Sequence, residues 1–453
     1  MRKLGFLGCC ALLASCSGGG GSNGSGGGVV TPTPTPAPTP TPAPTPTPTP
    51  ATLSYLYSFG TVPAAGSQPN GPLLQASDGN FYGTTRAGGN TGCTVGCGVL
   101  FKLTPSGTAT ALHTFGNTAS DGEWPTAPLI QGRDGALYGT TSFGGTYGAG
   151  TVFKITLGGV YTLLYSFGSS PSDALVPVAG LIEASDGNFY GTTSSGGANH
   201  CNNIPTSGGN CGTVFKITPA GAETVLYSFG ASVSDGVEPT APLVQGRDGN
   251  FYGTTLDGGA NSCSLSGGTH NCGTVFKITA GGALTILHSF GEGSNLGFLT
   301  TDGIAPQGPL IQGSDNAFYG ITVSGGQGRC GGSFGCGTVY RITSAGTVTI
   351  LHAFALDSRM GGDGPSPFLI QARDGNFYGT TGSGGAFGGD LLGTIFKLTP
   401  SGIKTTLYSF GPFASPRNPV GGLIQGTDGA FYGLTFYGQD GGPSGTVFKL
   451  SAP

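Results

Sequence analysis

Short apolar and β-branched runs, separated by glycine-rich turns, recur seven times between Leu53 and Leu450 and always in the same order. In one copy, Leu181-Ile182-Glu183-Ala184 and Asn188-Phe189-Tyr190-Gly191-Thr192-Thr193 flank Ser185-Asp186-Gly187. An Asp-Gly pair between two strand-like runs predicts a tight hairpin, because a type I′ turn needs positive φ at both central residues. These runs are strands A and B. Next come Gly212 to Thr218, a Pro219-Ala220-Gly221 turn, and Glu223 to Phe229, which predict strands C and D. Neighbouring apolar residues such as Val152-Phe153 and Val275-Phe276 suit strands covered on both faces rather than on one. No segment has helical periodicity. Four antiparallel strands per copy in seven copies predict an all-β fold, a seven-bladed β-propeller of four-stranded antiparallel blades.

The phase of the repeat predicts how the ring closes. A lone D-type strand, Leu53 to Phe59, precedes the first full copy, and the last copy ends after its C strand at Leu450. The N-terminal strand should therefore join the C-terminal blade and leave no unpaired terminal repeat. The Gly after each recurring Tyr should leave room for a neighbouring ring or backbone. Seven Asp residues in the A-B turns (Asp78, Asp134, Asp186, Asp248, Asp315, Asp374, Asp428) face seven basic residues late in strand C. Turn chemistry and Asp-Lys pairing account for them without catalysis.

Composition changes the picture mainly by exclusion. Charged residues make up 8%, net charge is -4 and the pI is near 5.7, so no basic field exists to hold nucleic acid. The segment 1–16, with Arg2-Lys3, an apolar run from Leu4 to Leu13, and Ala14-Ser15-Cys16, reads as a lipoprotein signal peptide. Its Leu13-Ala14-Ser15-Cys16 end resembles a bacterial lipobox and makes Cys16 the expected site of lipidation. Residues 17–50 form a disordered-type linker, Gly/Ser-rich and then Thr/Pro-rich. Its proline tract favours an extended stalk on the order of 60 Å. Residues 51–453 are the propeller. The expected address is the bacterial cell envelope, at the outer membrane, with the lipid anchor as the sole membrane contact.

Eight cysteines of the repeat region form four local pairs, each in a B-C loop: Cys93 with Cys97, Cys201 with Cys211, Cys263 with Cys272, and Cys330 with Cys336. Export makes disulfides the expectation. Zinc spacing is not reproduced across the four loops, so no metal is expected.

The A-B and C-D turns are short and uniform, whereas the B-C and D-A loops vary from copy to copy. Variable loops on a rigid scaffold are where recognition sits. The less generic residues there are Arg86, Trp124, Phe143, Tyr147, Asp257, Arg329, Phe387, Phe436 and Tyr437, of which Arg86, Trp124, Phe143, Asp257, Arg329 and Phe436 are the candidate ligand-binding set. Trp124, the chain's single Trp, falls in a D-A loop by this reading and could stack on a sugar or anchor a partner. No nucleophile, base and orienter converge in the sequence. His113, His288 and His352 occupy a strand-D position held elsewhere by Tyr, and Glu123 with Glu238 are acids that could face each other across a ring.

With Asp-Gly-Asn-Phe-Tyr-Gly-Thr-Thr, Gly-Thr-Val-Phe-Lys-Ile-Thr and Leu-Tyr-Ser-Phe in fixed order, the chain resembles the bacterial choice-of-anchor GloVer tandem-repeat proteins from Leu53 to Leu450. It departs locally: Asn316 replaces a turn Gly, Tyr340-Arg341 replaces Phe-Lys, and Gly98-Val99-Leu100 blurs one strand start. The resemblance implies an exported protein with a variable anchoring device and no activity assignable to a residue. More distantly the repeat is similar to kelch-like and streptogramin-lyase-like propellers. The expectation is a monomeric binding scaffold, without cofactor, that takes a glycan or an envelope protein through one propeller face. The alternative is a carbohydrate-active or lyase-type enzyme, which would need acidic or His groups near the central axis.

Overall fold

In the computed structural model, the structure describes residues 51–60, 66–90, 92–201, 211–232, 234–265, 268–292, 300–326, 335–355, 364–387, 392–411, 415–439 and 441–451. Seven antiparallel sheets carry the strand order A-B-C-D, giving the seven-bladed propeller. In the third blade, strand B is Phe189–Thr193, C is Thr213–Ile217 and D is Glu223–Ser228. The B and C strands are buried on both faces, except at the basic residue of strand C, because each blade is covered by its two neighbours. Strand D is only partly covered and forms the outer rim.

The ring closes as the repeat phase predicts. Leu53–Ser58 pairs antiparallel with Thr446–Leu450, in a register from Leu53 opposite Leu450 to Ser58 opposite Thr446. Side-chain packing supports the same closure independently. A strand-D Phe of each blade meets the strand-C ring of the next at 5.0–5.5 Å, and the seventh such contact, Phe59 with Phe101, joins the strand that completes the last blade to the first blade. Nearer the axis, the strand-B Tyr of one blade stacks on the strand-B Phe of the next, as in Tyr138 with Phe189 (4.1 Å), and Tyr432 reaches Phe81 at 4.4 Å across the seam. A backbone N–H in an A-B turn also donates to a Gln of the next blade, and Thr427 to Gln75 Oε1 (2.8 Å) carries this pattern across the closure.

The Tyr-Gly step has the expected cause. A Cβ at Gly139 would lie 2.6 Å from the Phe153 ring, so only Gly lets strand B pass under the strand-C aromatic. The Tyr hydroxyl donates to the turn Asp, as Tyr138 does to Asp134 Oδ2 (2.8 Å), and Lys154 Nζ lies 2.6 Å from the same oxygen. Burial alone would raise the Asp248 and Asp374 carboxyls. Hydrogen bonds from Asn, Tyr, Lys and backbone N–H outweigh it and hold both at about 2. These groups are part of the turn, as their position in the hairpin suggests.

Strand A differs from the simple reading. In the second to fifth blades it is broken into two pieces, and in the second the upper piece extends into what reads as the D-A loop: Gly122–Glu123 pairs with Phe143–Gly144. The break is an X-Pro step. Gln68, Trp124, Val176, Glu238, Ala305 and Asn418 all have φ of 55–57°, Gly364 has 59°, and each precedes a proline. A left-handed residue is uncommon outside glycine, and for the β-branched Val176 it is an outlier. Two inter-blade contacts hold it. The N–H of Trp124 donates to Cys97 O (2.9 Å) and that of Val176 to Ala149 O (2.9 Å), both on the preceding blade. The following proline then rests on the glycine that opens strand C of that blade.

Candidate functional site

Antiparallel pairing brings the end of strand B, the start of C, the end of D and the start of A to one end of every blade. The X-Pro break turns strand A there, and residues two positions beyond X then face the axis. Asn70, Thr126, Val178, Thr240 and Gln307 come together from five blades. They line a central funnel of about 480 Å³, whose wall is completed by Pro367 and Phe368 and, at the mouth, by Arg86, Trp124, Ser142, Phe143 and Val176. That size falls within the range of sites for small ligands.

Three of the candidate residues converge here. The Arg86 guanidinium lies 5.0 Å from the Trp124 ring centroid, and Phe143 meets Trp124 edge-on at 5.1 Å. Neighbouring blades supply the trio: Arg86 follows strand B of the first, while Trp124 and Phe143 lie on paired segments of the second. Arg86 is exposed, and its guanidinium makes no hydrogen bond or ion pair among the described residues. Trp124 Nε1 and Thr240 Oγ1 are shielded from solvent and without a hydrogen-bond partner among the described residues. Thr126 and Ser142 bond each other at 2.9 Å.

The remaining candidates lie elsewhere. Asp257 is buried, and its carboxylate accepts from the Gly258 N–H at 2.7 Å, so it secures a strand end and is not part of the funnel lining. Phe436 also lies outside the lining and packs edge-on against Tyr437, over which Arg417 sits at 4.3 Å. Arg329 and Cys16 fall outside the described residues, as do Cys330 and the segment 1–50. Phe387 and Tyr147 are exposed. The polar lining residues Asn70, Thr126, Thr240 and Gln307 are not distinctive by residue type. The available signal for them was position, two residues past a once-per-repeat X-Pro step.

The cysteines behave as expected where they can be followed. Cys93–Cys97, Cys201–Cys211 and Cys263–Cys272 are disulfides, and Cys336 is disulfide-bonded as well. Cys93 and Cys97 lie close to Glu123, but sulfurs bonded to each other are not thiolate ligands, which leaves one carboxylate at that spot. His113 and His288 pair with buried Asp121 (3.2 Å) and Asp302 (2.9 Å) on the outer side of their blades, where Tyr165 and Tyr227 bond Asp173 and Asp235 equivalently. They are members of a repeated clamp. Among the described residues, no Asp, Glu or His lines the funnel.

Matches to the Gloeobacter/Verrucomicrobia repeat extend over residues 45–205, 205–331 and 262–453. The chain defines a closed repeat propeller with an axial funnel, and it belongs to that repeat family. No curated protein sequence matches it. Several solved structures share the general architecture. A gluconolactonase of Xanthomonas campestris is 13% identical over 89% of this chain and 90% of its own, with a TM-score of 0.41. The periplasmic gluconolactonase of Pseudomonas aeruginosa is 14% identical over 85% and 99%, with a TM-score of 0.43. A Dyadobacter fermentans protein of unknown function is 10% identical over 88% and 99%, with a TM-score of 0.46. At these scores no activity carries over.

Proposed function

We propose that this is an exported, lipid-anchored binding scaffold of the bacterial cell envelope, which takes a glycan or an envelope protein on the funnel side of the ring. The observation that supports this reading best is the meeting of Arg86, Trp124 and Phe143 at the mouth of a preformed cavity. An aromatic corner with adjacent unpaired donors is suited to recognition, and a rigid ring supplies it at little ordering cost. An enzyme of the carbohydrate-active or lyase type would need an acid or base at the axis, and the described lining residues include no Asp, Glu or His. Acylation of Cys16 would supply the anchor.

Two measurements test this. Full-length protein purified in detergent should bind a defined subset of a glycan array or capture one envelope protein. Phe143→Ala should weaken that binding at least tenfold, while Phe387→Ala leaves it unchanged. Equal loss in both variants, or in neither, removes the funnel from the reading. For the anchor, Cys16→Ala should abolish globomycin-sensitive processing and detergent partitioning, and unchanged behaviour refutes lipidation.

A further inference from the structure

The charge and hydrogen-bonding state of the funnel narrows the ligand class. Among the described residues, Arg86 is the one ionisable residue in the lining, in a chain whose net charge is -4. Its guanidinium is held over the Trp124 face, with its donors turned to no acceptor among the described residues. A guanidinium fork of this kind suits a carboxylate, which it can meet with two parallel N–H bonds. Two exposed amides, Asn70 and Gln307, line the same cavity. An amide both donates and accepts, so they suit a ligand rich in hydroxyl groups. Phe143 and Phe368 supply the apolar surface on which a sugar ring rests. Glu238, which holds the Trp124 position two blades on, is outside the lining and already has a partner, so no acid among the described lining residues offsets Arg86.

We propose that the funnel is a site for acidic saccharides, in which Arg86 takes the carboxylate of a uronic acid unit, Asn70 and Gln307 bond sugar hydroxyls, and Phe143 packs on the ring. This rests on the binding-scaffold reading above and specifies its ligand. A small anion alone would satisfy Arg86 but leave the two amides and the aromatic surface unused. A neutral sugar would do the reverse.

Because Trp124 is the chain's single Trp, its fluorescence reports on the funnel directly. Full-length protein is titrated with digalacturonate, with neutral galactobiose and with acetate. Digalacturonate should shift Trp124 emission saturably, bind at least tenfold more tightly than galactobiose or acetate, and weaken as salt is raised. Arg86→Gln should lose that tenfold preference while retaining the galactobiose response. Equal binding of acidic and neutral disaccharide overturns the acidic-saccharide site but leaves a glycan-binding funnel. Acetate as tight as digalacturonate makes it an anion site and overturns the proposal. Absence of any response to the three probes, with an unchanged melting transition, overturns the acidic-saccharide site, and a protein captured through Phe143 would then carry the broader reading alone.

Discussion

Phe59 meets Phe101 with ring centroids 5.1 Å apart, although one ring belongs to the first strand of the chain and the other to the first complete blade. Phe115 and Phe153 do the same at 5.3 Å between two consecutive blades. The equivalence means that the seam is packed like any interior boundary, with both of its rings at most 1% exposed. Phe59→Ala should therefore cost about 3–5 kcal/mol, the range for deleting a buried ring, and match Phe115→Ala within about 1 kcal/mol. Urea denaturation of the two variants checks this. A Phe59→Ala loss under about 1 kcal/mol would indicate a ring whose ends are not stably joined.

The X-Pro break predicts a second sensitivity. Gly150 has φ of 101°, and a Cβ there would stand 2.5 Å from Pro177 Cδ and 2.4 Å from the Thr141 carbonyl oxygen. Pro177 belongs to the next blade and Thr141 to the paired strand B, so neither can give way without moving a strand. Gly150→Ala should destabilise the protein by more than about 2 kcal/mol, well beyond the cost of placing Ala at positive φ alone. Gly148→Ala is the control, since it shares a positive φ of 75° but meets nothing within 4 Å. Thermal melts should separate the two, with the Gly150 variant lower by several degrees. Similar melting temperatures would show that the proline contact does not constrain strand A.

How legible the sequence is depends on how local each feature is. The Asp134 hairpin, the strand-C run at Thr151–Ile155 and the Cys93–Cys97 pair are set by residues within a few positions of one another, and all three can be read directly. Trp124 reads as a loop residue because its left-handed backbone is held by Cys97 O of the preceding blade, a partner that one repeat cannot show. The same applies to Thr240 and Gln307, ordinary polar residues that become a site only when five blades converge on an axis. Asp257 is distinctive by type within its repeat, yet folding turns its carboxylate onto its own neighbour's N–H. Rarity of type singles out Arg86, Trp124 and Phe143, which folding brings together at the funnel mouth, whereas Asp257, equally distinctive, is folded away from it.

Disulfide chemistry gives a local prediction. Cys201–Cys211 and Cys263–Cys272 close circuits of 10 and 9 residues, and Cys93–Cys97 one of 4, so each removes about 2–3 kcal/mol of loop entropy from the unfolded chain. The blade closures do not run through them. After denaturation without reductant, thiol titration should find the six cysteines of these pairs unreactive. With reductant the melting temperature should fall while the strand-rich circular dichroism below it is retained. Loss of that spectrum on reduction at ambient temperature would mean that the bridges support the fold rather than trim its loops.

The last prediction concerns one carboxyl in the outer rim. Glu223 begins strand D of the third blade, where other blades carry Leu53, Ala109, Tyr161, Leu284, Val348 and Lys404. It stands beside Asp173, whose carboxylate accepts from the Tyr165 hydroxyl at 3.0 Å, the Ser169 N–H at 2.7 Å and the Ala174 N–H at 2.8 Å. Glu223 Oε1 has no such donor among the described residues. Burial first, and then the neighbouring Asp173 charge, push its carboxyl from 4.5 up to about 8. The folded state thus holds a proton that the unfolded chain releases above about pH 4.5. The stabilisation is complete below that value and is lost as pH rises to about 8. Partial solvent screening limits the effect to an order of 1–3 kcal/mol. Glu223→Gln keeps the shape and removes the charge, so it should raise the urea midpoint at pH 8.5 and leave it nearly unchanged at pH 4.5. An equal gain at both pH values would trace the effect to packing, and a loss at pH 8.5 would mean that the ionised Glu223 has a stabilising partner.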